Sequence, residues 1–354
     1  MKILYAAGLS PNDSSLYRLW ALERLGHTVI PFNSYEYISR NPLIRRVSLR
    51  LAAGPMVNRL NRDILRLAAE QKPDLLWTDK LLSMRPKTLD RLRAMGIATV
   101  SYMIDNPFGS RRDPGWRLYM KDIPHYDLHV VQRDKNIADY RERGARDVIK
   151  IQTAYEPTLH FPPPPGWSDK DRDRGVSFVG TPYDDRAITL TRLADLNEFR
   201  VSISGNATAW KRSLREEAFS RLYREGELYQ QQYREAIWRS KINLSFITHS
   251  NQDEFVHKSF EIAGCGGFLL AERSAGHLER FREGEEAVFF SSFEECVEKI
   301  RRYLPDEAAR ARIAAAGHAR AVRDGYHNDR QMGLIVERAE QIVQKARDER
   351  KALR

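Results

Sequence analysis

The stretch FVHKSFEIAGCGGFLLAERSAGHLERFREGEEAVFF, Phe255 to Phe290, decides how the chain is read. A polar loop, His249-Ser-Asn-Gln-Asp253, leads into it, and a short helical pattern carries Glu261. Small residues follow at Ala263, Gly264, Cys265, Gly266 and Gly267, and an apolar run from Phe268 to Ala271 then ends at Glu272. A carboxylate at a helix start, glycine-rich close packing behind it and a buried strand next is how α/β proteins build a sugar-nucleotide site. Such sites lie outside the carboxyl ends of parallel strands. The spacing Asp253-x7-Glu261 puts one acidic side chain on the loop and one on the helix, where both can reach hydroxyls of a ligand seated over the helix N-terminus.

Outward from this stretch, apolar strand runs alternate with helical patterns. The chain opens with a strand at Ile3–Ala7, a helix at Ser15–Leu25 stopped by Gly26, and a second strand at Thr28–Phe32. A βαβ opening argues for a parallel sheet with right-handed crossovers. Its loop, Gly8–Ser14, lacks the GxGxxG fingerprint, which makes a nicotinamide oxidoreductase a minor reading. Further strands fit Leu75–Thr78, Ala98–Ile104, Leu128–Gln132 and Val148–Gln152. Between the second and third strands, Arg40–Lys72 is a long basic amphipathic stretch, read as a solvated crossover helix ahead of a membrane-binding element.

Four prolines, Pro162–Pro165, cannot continue a helix or an interior strand, and a charged run follows at Asp169–Arg174. Beyond them the pattern restarts. Strands fit Val176–Val179, Arg200–Ser204 and Ile242–Thr248, helices fit Asp185–Asp195 and Arg221–Ser240, and the end from Asp306 is almost wholly helical. The expected organisation is an amino-terminal Rossmann-like domain at 1–160, a linker at 161–174, a carboxyl-terminal Rossmann-like domain at 175–330 and a terminal helix at 331–354.

Composition narrows the function class. With 354 residues the chain suits two α/β domains. Neither a membrane span nor a signal peptide is expected. Two cysteines, Cys265 and Cys296, fit a reducing compartment, so the expected location is cytoplasmic. No CxxC or HExxH occurs, and no metal is expected. A net charge of +10 favours acidic partners: nucleotides, anionic lipid surfaces or nucleic acid. No helix-turn-helix, zinc-finger or RNA-binding strand signature appears, which argues against specific nucleic-acid recognition.

The segment Lys258-Ser-Phe-Glu261-Ile-Ala-Gly-Cys-Gly266-Gly267-Phe-Leu-Leu, followed by Phe281, Gly284-Glu-Glu-Ala287 and Ala316-Gly317-x-x-Arg320, resembles the carboxyl-terminal domain of GT-B glycosyltransferases. Within them it is similar to the CgeB-like spore-maturation group, over about Gly175–Arg330 and more thinly before. The resemblance implies α/β architecture of the GT-B type: two doubly wound Rossmann-like domains and a helical carboxyl-terminal tail. It implies transfer of a sugar from a nucleotide-diphosphate donor, UDP- or dTDP-linked, to a hydroxyl acceptor, with no cofactor. The acceptor stays open among glycan, glycolipid, protein and small molecule, as do peripheral membrane contact and oligomeric state. A sugar-nucleotide epimerase of the same fold, and a non-catalytic GT-B protein in spore-coat or surface assembly, are the alternatives.

By the same resemblance, Glu261 accepts hydrogen bonds from the donor ribose, Lys258 offsets the leaving diphosphate, and Arg186 lies near the phosphates beyond the Gly180-Thr-Pro-Tyr-Asp-Asp-Arg186 turn. Asp253 stands where retaining relatives carry the first glutamate of an E-x7-E motif and handle the transferred sugar. Backbone N–H groups around Gly264, Gly266 and Gly267 help hold phosphate, although helix-on-strand packing explains those glycines as well. In the amino-terminal half Ser101-Tyr-Met-Ile-Asp105-Asn-Pro107 resembles the family's strand followed by Asp-x-Pro. Asp105 is then a general base for the acceptor hydroxyl, against the plainer reading of an Asx turn. Asp79 and Lys80 match a family position without a clear role. Trp210 is read as an exposed loop residue packing on its own domain, and Tyr223, Tyr229 and Tyr233 as one helix face.

Overall fold

The computed structural model describes residues 1–39, 41–51, 54–109 and 115–352. Two compact units divide the chain: residues 1–152 with 328–354, and residues 153–327. Each is built on a six-stranded parallel sheet. The first sheet comprises β1 (Lys2–Ala7), β2 (Thr28–Asn33), β3 (Leu75–Asp79), β4 (Ala98–Tyr102), β5 (Leu128–Val131) and β6 (Val148–Lys150), in the order β2-β1-β3-β4-β5-β6. The second comprises β7 (Arg174–Val179), β8 (Val201–Ser204), β9 (Tyr223–Glu225), β10 (Ser240–Ser245), β11 (Leu269–Glu272) and β12 (Val288–Phe290), in the order β12-β11-β10-β7-β8-β9.

Strands of this kind are covered on both faces, which is why they read as near-continuous apolar runs. All five residues of β3 and all five of β4 are buried. Period-2 alternation sends Ile3, Tyr5 and Ala7 of β1 into one core layer and Leu4 and Ala6 into the other. The first layer is closed by Leu19 and Leu22 of the helix Ser14–Arg24 and by Met332, Ile335, Val336, Ala339 and Val343 of the carboxyl-terminal helix Asn328–Ala352. That terminal helix is thus part of the first unit's core.

The division between units falls between Gln152 and Thr153, and the expected linker 161–174 lies inside the second unit. There Phe161 packs at 5.7 Å on Trp238, and the Trp167 indole N–H donates to the Trp238 carbonyl at 3.1 Å. Proline stiffens this segment, and aromatic packing fastens it to the body of the unit. Three other expectations need correction. The stretch Arg221–Ser240 holds an edge strand, β9, before its helix begins at Gln230, so Tyr223 and Tyr229 are not on one helix face with Tyr233. Trp210 is completely buried in the helix Ala207–Ser213, its indole N–H donating to the Gly180 carbonyl at 2.9 Å. The Arg40–Lys72 stretch forms two helices, Pro42–Leu51 and Pro55–Gln71; Arg40, Ala52 and Ala53 lie outside the described residues.

Candidate functional site

A doubly wound sheet opens a crevice where the winding reverses. In the second unit the reversal falls between β7 and β10, since β8 and β9 extend one way from β7 and β11 and β12 the other way from β10. Beyond β7 the chain turns at Gly180, whose φ of +155° suits glycine. A Cβ there would stand 3.4 Å from the Lys258 Nζ and 3.2 Å from the Phe178 ring, so the bare backbone leaves room for the lysine. Arg186, 8% exposed at the start of the helix Arg186–Asp195, ties the two edges of the crevice together. Its guanidinium donates to the carbonyls of Thr181 (3.2 Å), Phe246 (3.2 Å) and Ile247 (3.3 Å) and to the Thr248 hydroxyl (2.9 Å).

The loop after β10 is held from below. Glu272, ending β11, accepts from the Ile247 N–H at 3.0 Å and meets the His249 Nε2 at 2.6 Å. Asp253 accepts from the Asn251 side-chain amide at 2.9 Å; burial lowers the Arg186 pKa, against the opposing pull of Asp184, Tyr183, Asp253 and Glu272. The helix His257–Gly264 follows, its inner face pinned by Ser259, which meets the Ser245 hydroxyl at 2.9 Å and the His277 Nε2 at 2.8 Å.

Lys258 and Glu261, three apart, share one face of that helix. Glu261 sits in its interior, not at its N-terminus, so the helix dipole does not account for it. Tyr233, on the helix Gln230–Trp238, joins the two: its hydroxyl donates to a Glu261 oxygen at 2.8 Å and lies 3.5 Å from the Lys258 Nζ. Lys258 also donates to the Val179 carbonyl. Burial lowers its pKa to about 8 despite the opposing pull of Glu261. Burial pushes the Glu261 carboxyl up, but His160, His257, Lys258 and the Tyr233 hydrogen bond together hold it below its ordinary value. Among the described residues Lys258 and Arg186 form no ion pair; every direct partner is a carbonyl, a hydroxyl or an aromatic face. Two cations held by neutral groups beside a poised carboxylate can take a ligand that is anionic at one point and hydroxylated at another.

Gly264, Gly266 and Gly267 are not part of this cluster. They connect the carboxyl end of the helix His257–Gly264 to the amino end of β11, on the far edge of the sheet. The N–H groups there are already used: Cys265 donates to the Glu261 carbonyl, Gly266 to Ala263 and Gly267 to Ile262. A Cβ on Gly264 would fall 2.7 Å from the Tyr155 ring, which makes close packing the reason for glycine. The phosphate-cradle reading of these three is therefore corrected. Tyr233 is the residue that sequence reasoning missed.

In the first unit the winding reverses between β1 and β3. Asp79, ending β3, forms a buried pair with Arg18 (2.6 and 3.1 Å) and accepts from the Tyr5 hydroxyl at 2.6 Å. The Arg18 guanidinium lies 4.5 Å from the Tyr102 ring centre. Next in sequence, Lys80 meets Asp105 at 2.5 Å. Asp105 stands beyond the end of β4, not at it, and the Asx turn before Pro107 belongs to Asn106, whose side chain accepts from the Phe108 N–H at 3.0 Å. A cavity of about 360 Å³ opens beside this edge, lined by Gly8, Arg18, Asp79, Lys80 and Ile104 among others.

Residues 186–337 match a family model described as "Glycosyl transferase-like". No curated protein matches the sequence. Among solved structures, sucrose-phosphate synthase from Thermosynechococcus elongatus superposes with a TM-score of 0.71 at 13% identity, covering 97% of this chain and 99% of that one. HepE from Anabaena in complex with UDP-glucose gives 0.66 at 15% identity, over 95% and 99%. A UDP-forming trehalose-phosphate synthase from Burkholderia xenovorans gives 0.62 at 12% identity, over 96% and 99%. The likeness spans nearly the whole of each chain, and the protein has the GT-B fold.

Proposed function

We propose that the protein is a glycosyltransferase, moving a sugar from a nucleotide-diphosphate sugar to a hydroxyl acceptor without a metal ion, and that it belongs with the CgeB-like group its donor segment resembles. The observation that carries this reading is the Lys258–Tyr233–Glu261 cluster at the switch point of the second sheet, inside the matched span 186–337. The UDP-glucose bound to HepE supports a UDP-linked donor. Glu261, kept ionised and steadied by Tyr233, accepts hydrogen bonds from vicinal ribose hydroxyls. As the anomeric C–O bond breaks, negative charge grows on the departing diphosphate, and the Lys258 ammonium stabilises it.

Arg186 acts on the same phosphates chiefly by holding the Thr181 and Phe246–Thr248 loops in place, because its guanidinium is committed to them. Asp253 contacts the transferred sugar. The acceptor falls to the first unit, where Asp105 takes the proton of the attacking hydroxyl in an inverting reaction. Lys80 holds that carboxylate in position.

Isothermal titration with UDP tests the donor site. Glu261→Ala should weaken binding by about 1.5–3 kcal/mol, the range for hydrogen bonds to charged groups, while thermal unfolding stays close to wild type. Unchanged affinity in a folded variant removes the donor site from this helix. Product analysis after incubation with sugar nucleotides, with and without hydroxyl acceptors, separates transfer from epimerisation, which needs no acceptor. EDTA should leave turnover intact; loss restored by manganese or magnesium would overturn the metal-free reading.

A further inference from the structure

We infer that the helix Pro42–Leu51 seats the protein on an anionic lipid surface. Its sequence, PLIRRVSLRL, contains no acidic residue, and every side chain from Pro42 to Val47 is exposed. Leu43 is 70% exposed, Ile44 51% and Val47 46%. At spacings of one, three and four residues these three form a single stripe. Tyr35 and Ile38, just upstream, are exposed too. Among the described residues, five of the thirteen large hydrophobic side chains that stand exposed thus fall between Tyr35 and Val47. Scattered exposed aliphatics are ordinary, but a contiguous ridge marks a surface that something covers.

Charge identifies the occupant. Between Ser34 and Lys72 the sequence carries eight basic residues against three acidic ones. Arg45 and Arg46 lie beside the stripe, and the next helix exposes Arg59, Arg62 and Arg66, which share Asp63. Glu36 and Glu70 are the exposed acids of this stretch, and Glu70 lies 3.4 Å from Arg66. A second copy of a chain with net charge +10 would bring two such patches together against their own repulsion. An anionic bilayer answers both features at once, burying the aliphatic stripe at the acyl boundary and pairing the arginines with headgroup phosphates. No helix among the described residues is long and apolar enough to cross a membrane, so this contact is peripheral.

The cavity beside Lys80 gives the contact a use. Its rim includes Ile38 and Arg45, and its walls include Val57, Leu60 and Leu82. On the reading proposed above, an acceptor hydroxyl carried on a molecule with an apolar chain enters this cavity from the lipid surface.

Co-sedimentation of the full chain with phosphatidylcholine vesicles, with and without phosphatidylglycerol, tests the docking independently of any transfer activity. Binding should require phosphatidylglycerol and weaken with added salt. Arg45→Gln combined with Arg46→Gln should lower the partition coefficient about thirtyfold, roughly fivefold per basic residue at an anionic surface. Leu43→Ser combined with Ile44→Ser should lower it on the order of tenfold or more. Both variants should unfold like wild type, since the replaced side chains are exposed. Absence of wild-type binding to the anionic vesicles overturns the inference, and so do variants that sediment like wild type. Self-association abolished by the serine pair would assign the ridge to a second copy instead. Donor binding that fails while vesicle binding holds would leave the docking in place and remove only the glycosyl-transfer reading.

Discussion

At the carboxyl edge of the first sheet Arg18 meets Asp79 and Lys80 meets Asp105, whereas at the same edge of the second sheet Lys258 and Arg186 meet carbonyls and hydroxyls. Both edges bring cations to a topological switch point. The first pairs them directly with carboxylates; the second hydrogen-bonds them to neutral dipoles, with the charge of Glu261 acting on Lys258 and those of Asp184, Asp253 and Glu272 on Arg186 through space. Desolvating an unpaired cation is costly, and burial accordingly lowers the Lys258 pKa to about 8. A protein keeps such an arrangement where an anion repays the cost, and on the proposed function that anion is a nucleotide diphosphate. On the same proposal the Lys80 pair keeps Asp105 in place, and the carboxylate's task is to receive the proton of a neutral hydroxyl.

The largest effect expected from this contrast is on turnover. Asp105→Asn keeps the size of the side chain and removes its capacity to take a proton. It should lower kcat on the order of 10²–10⁴-fold while UDP affinity is unchanged. Steady-state kinetics alongside titration decides it. Should the variant turn over like wild type, the Lys80–Asp105 pair is structural only. The retaining reading, with Asp253 handling the transferred sugar, then gains.

Next in size is a stability effect confined to the buried pair. Asp79→Ala strands the Arg18 guanidinium, 2% exposed, without its carboxylate partner, and leaves the Tyr5 hydroxyl only the Ser15 carbonyl as acceptor. Removing one member of a buried pair costs about 3–5 kcal/mol, to be read from urea unfolding. Glu294→Ala, which breaks an exposed pair with Arg192, should change stability by less than about 1 kcal/mol. Equal effects of the two variants would mean that the buried pair contributes no more than a surface one.

How much of this was legible in the sequence differs between backbone and site. The strands of the first sheet and most of those of the second were readable because parallel strands buried on both faces are apolar throughout. Two strands were not read: β9, a three-residue edge strand of sequence Tyr-Arg-Glu set in a stretch of helical composition, and β12, the three apolar residues Val288–Phe290 at the other edge. That Lys258 and Glu261 share one helix face was readable because three-residue spacing on a helix is local information; their proposed roles came from the resemblance. Tyr233 was hidden because its partnership with them is tertiary, and its spacing from Tyr223 and Tyr229 suggested a packed face. The glycines at 264, 266 and 267 misled for a directional reason. A glycine-rich junction between helix and strand looks alike at either edge of a sheet, and only the chain's path shows that this one lies at the amino end of β11. The pairing of Lys80 with Asp105 likewise requires knowing that β3 and β4 are neighbours.

The smallest expected effect probes the uncancelled charge itself, through pH. In the free protein burial lowers the Lys258 pKa to about 8, and a diphosphate bound as proposed would raise that value by stabilising the ammonium. A group whose pKa rises on binding gives its full contribution below the free value and loses it as pH climbs toward the bound value. UDP affinity should therefore be flat from about pH 7 to 7.5, above the range in which the terminal phosphate takes a proton, and fall on the order of tenfold per pH unit above 8, until the pKa of the complex is reached. Lys258→Arg supplies the control, because a guanidinium keeps its charge throughout this range. Its affinity should be lower at pH 7, since arginine cannot reproduce the lysine's contact with the Val179 carbonyl, yet flat from pH 7 to 9.5. Titrations in which both proteins lose affinity in parallel would assign the pH dependence to another group. A flat wild-type profile would show that Lys258 does not face the diphosphate, and with that the contrast between the two carboxyl edges would lose its functional meaning.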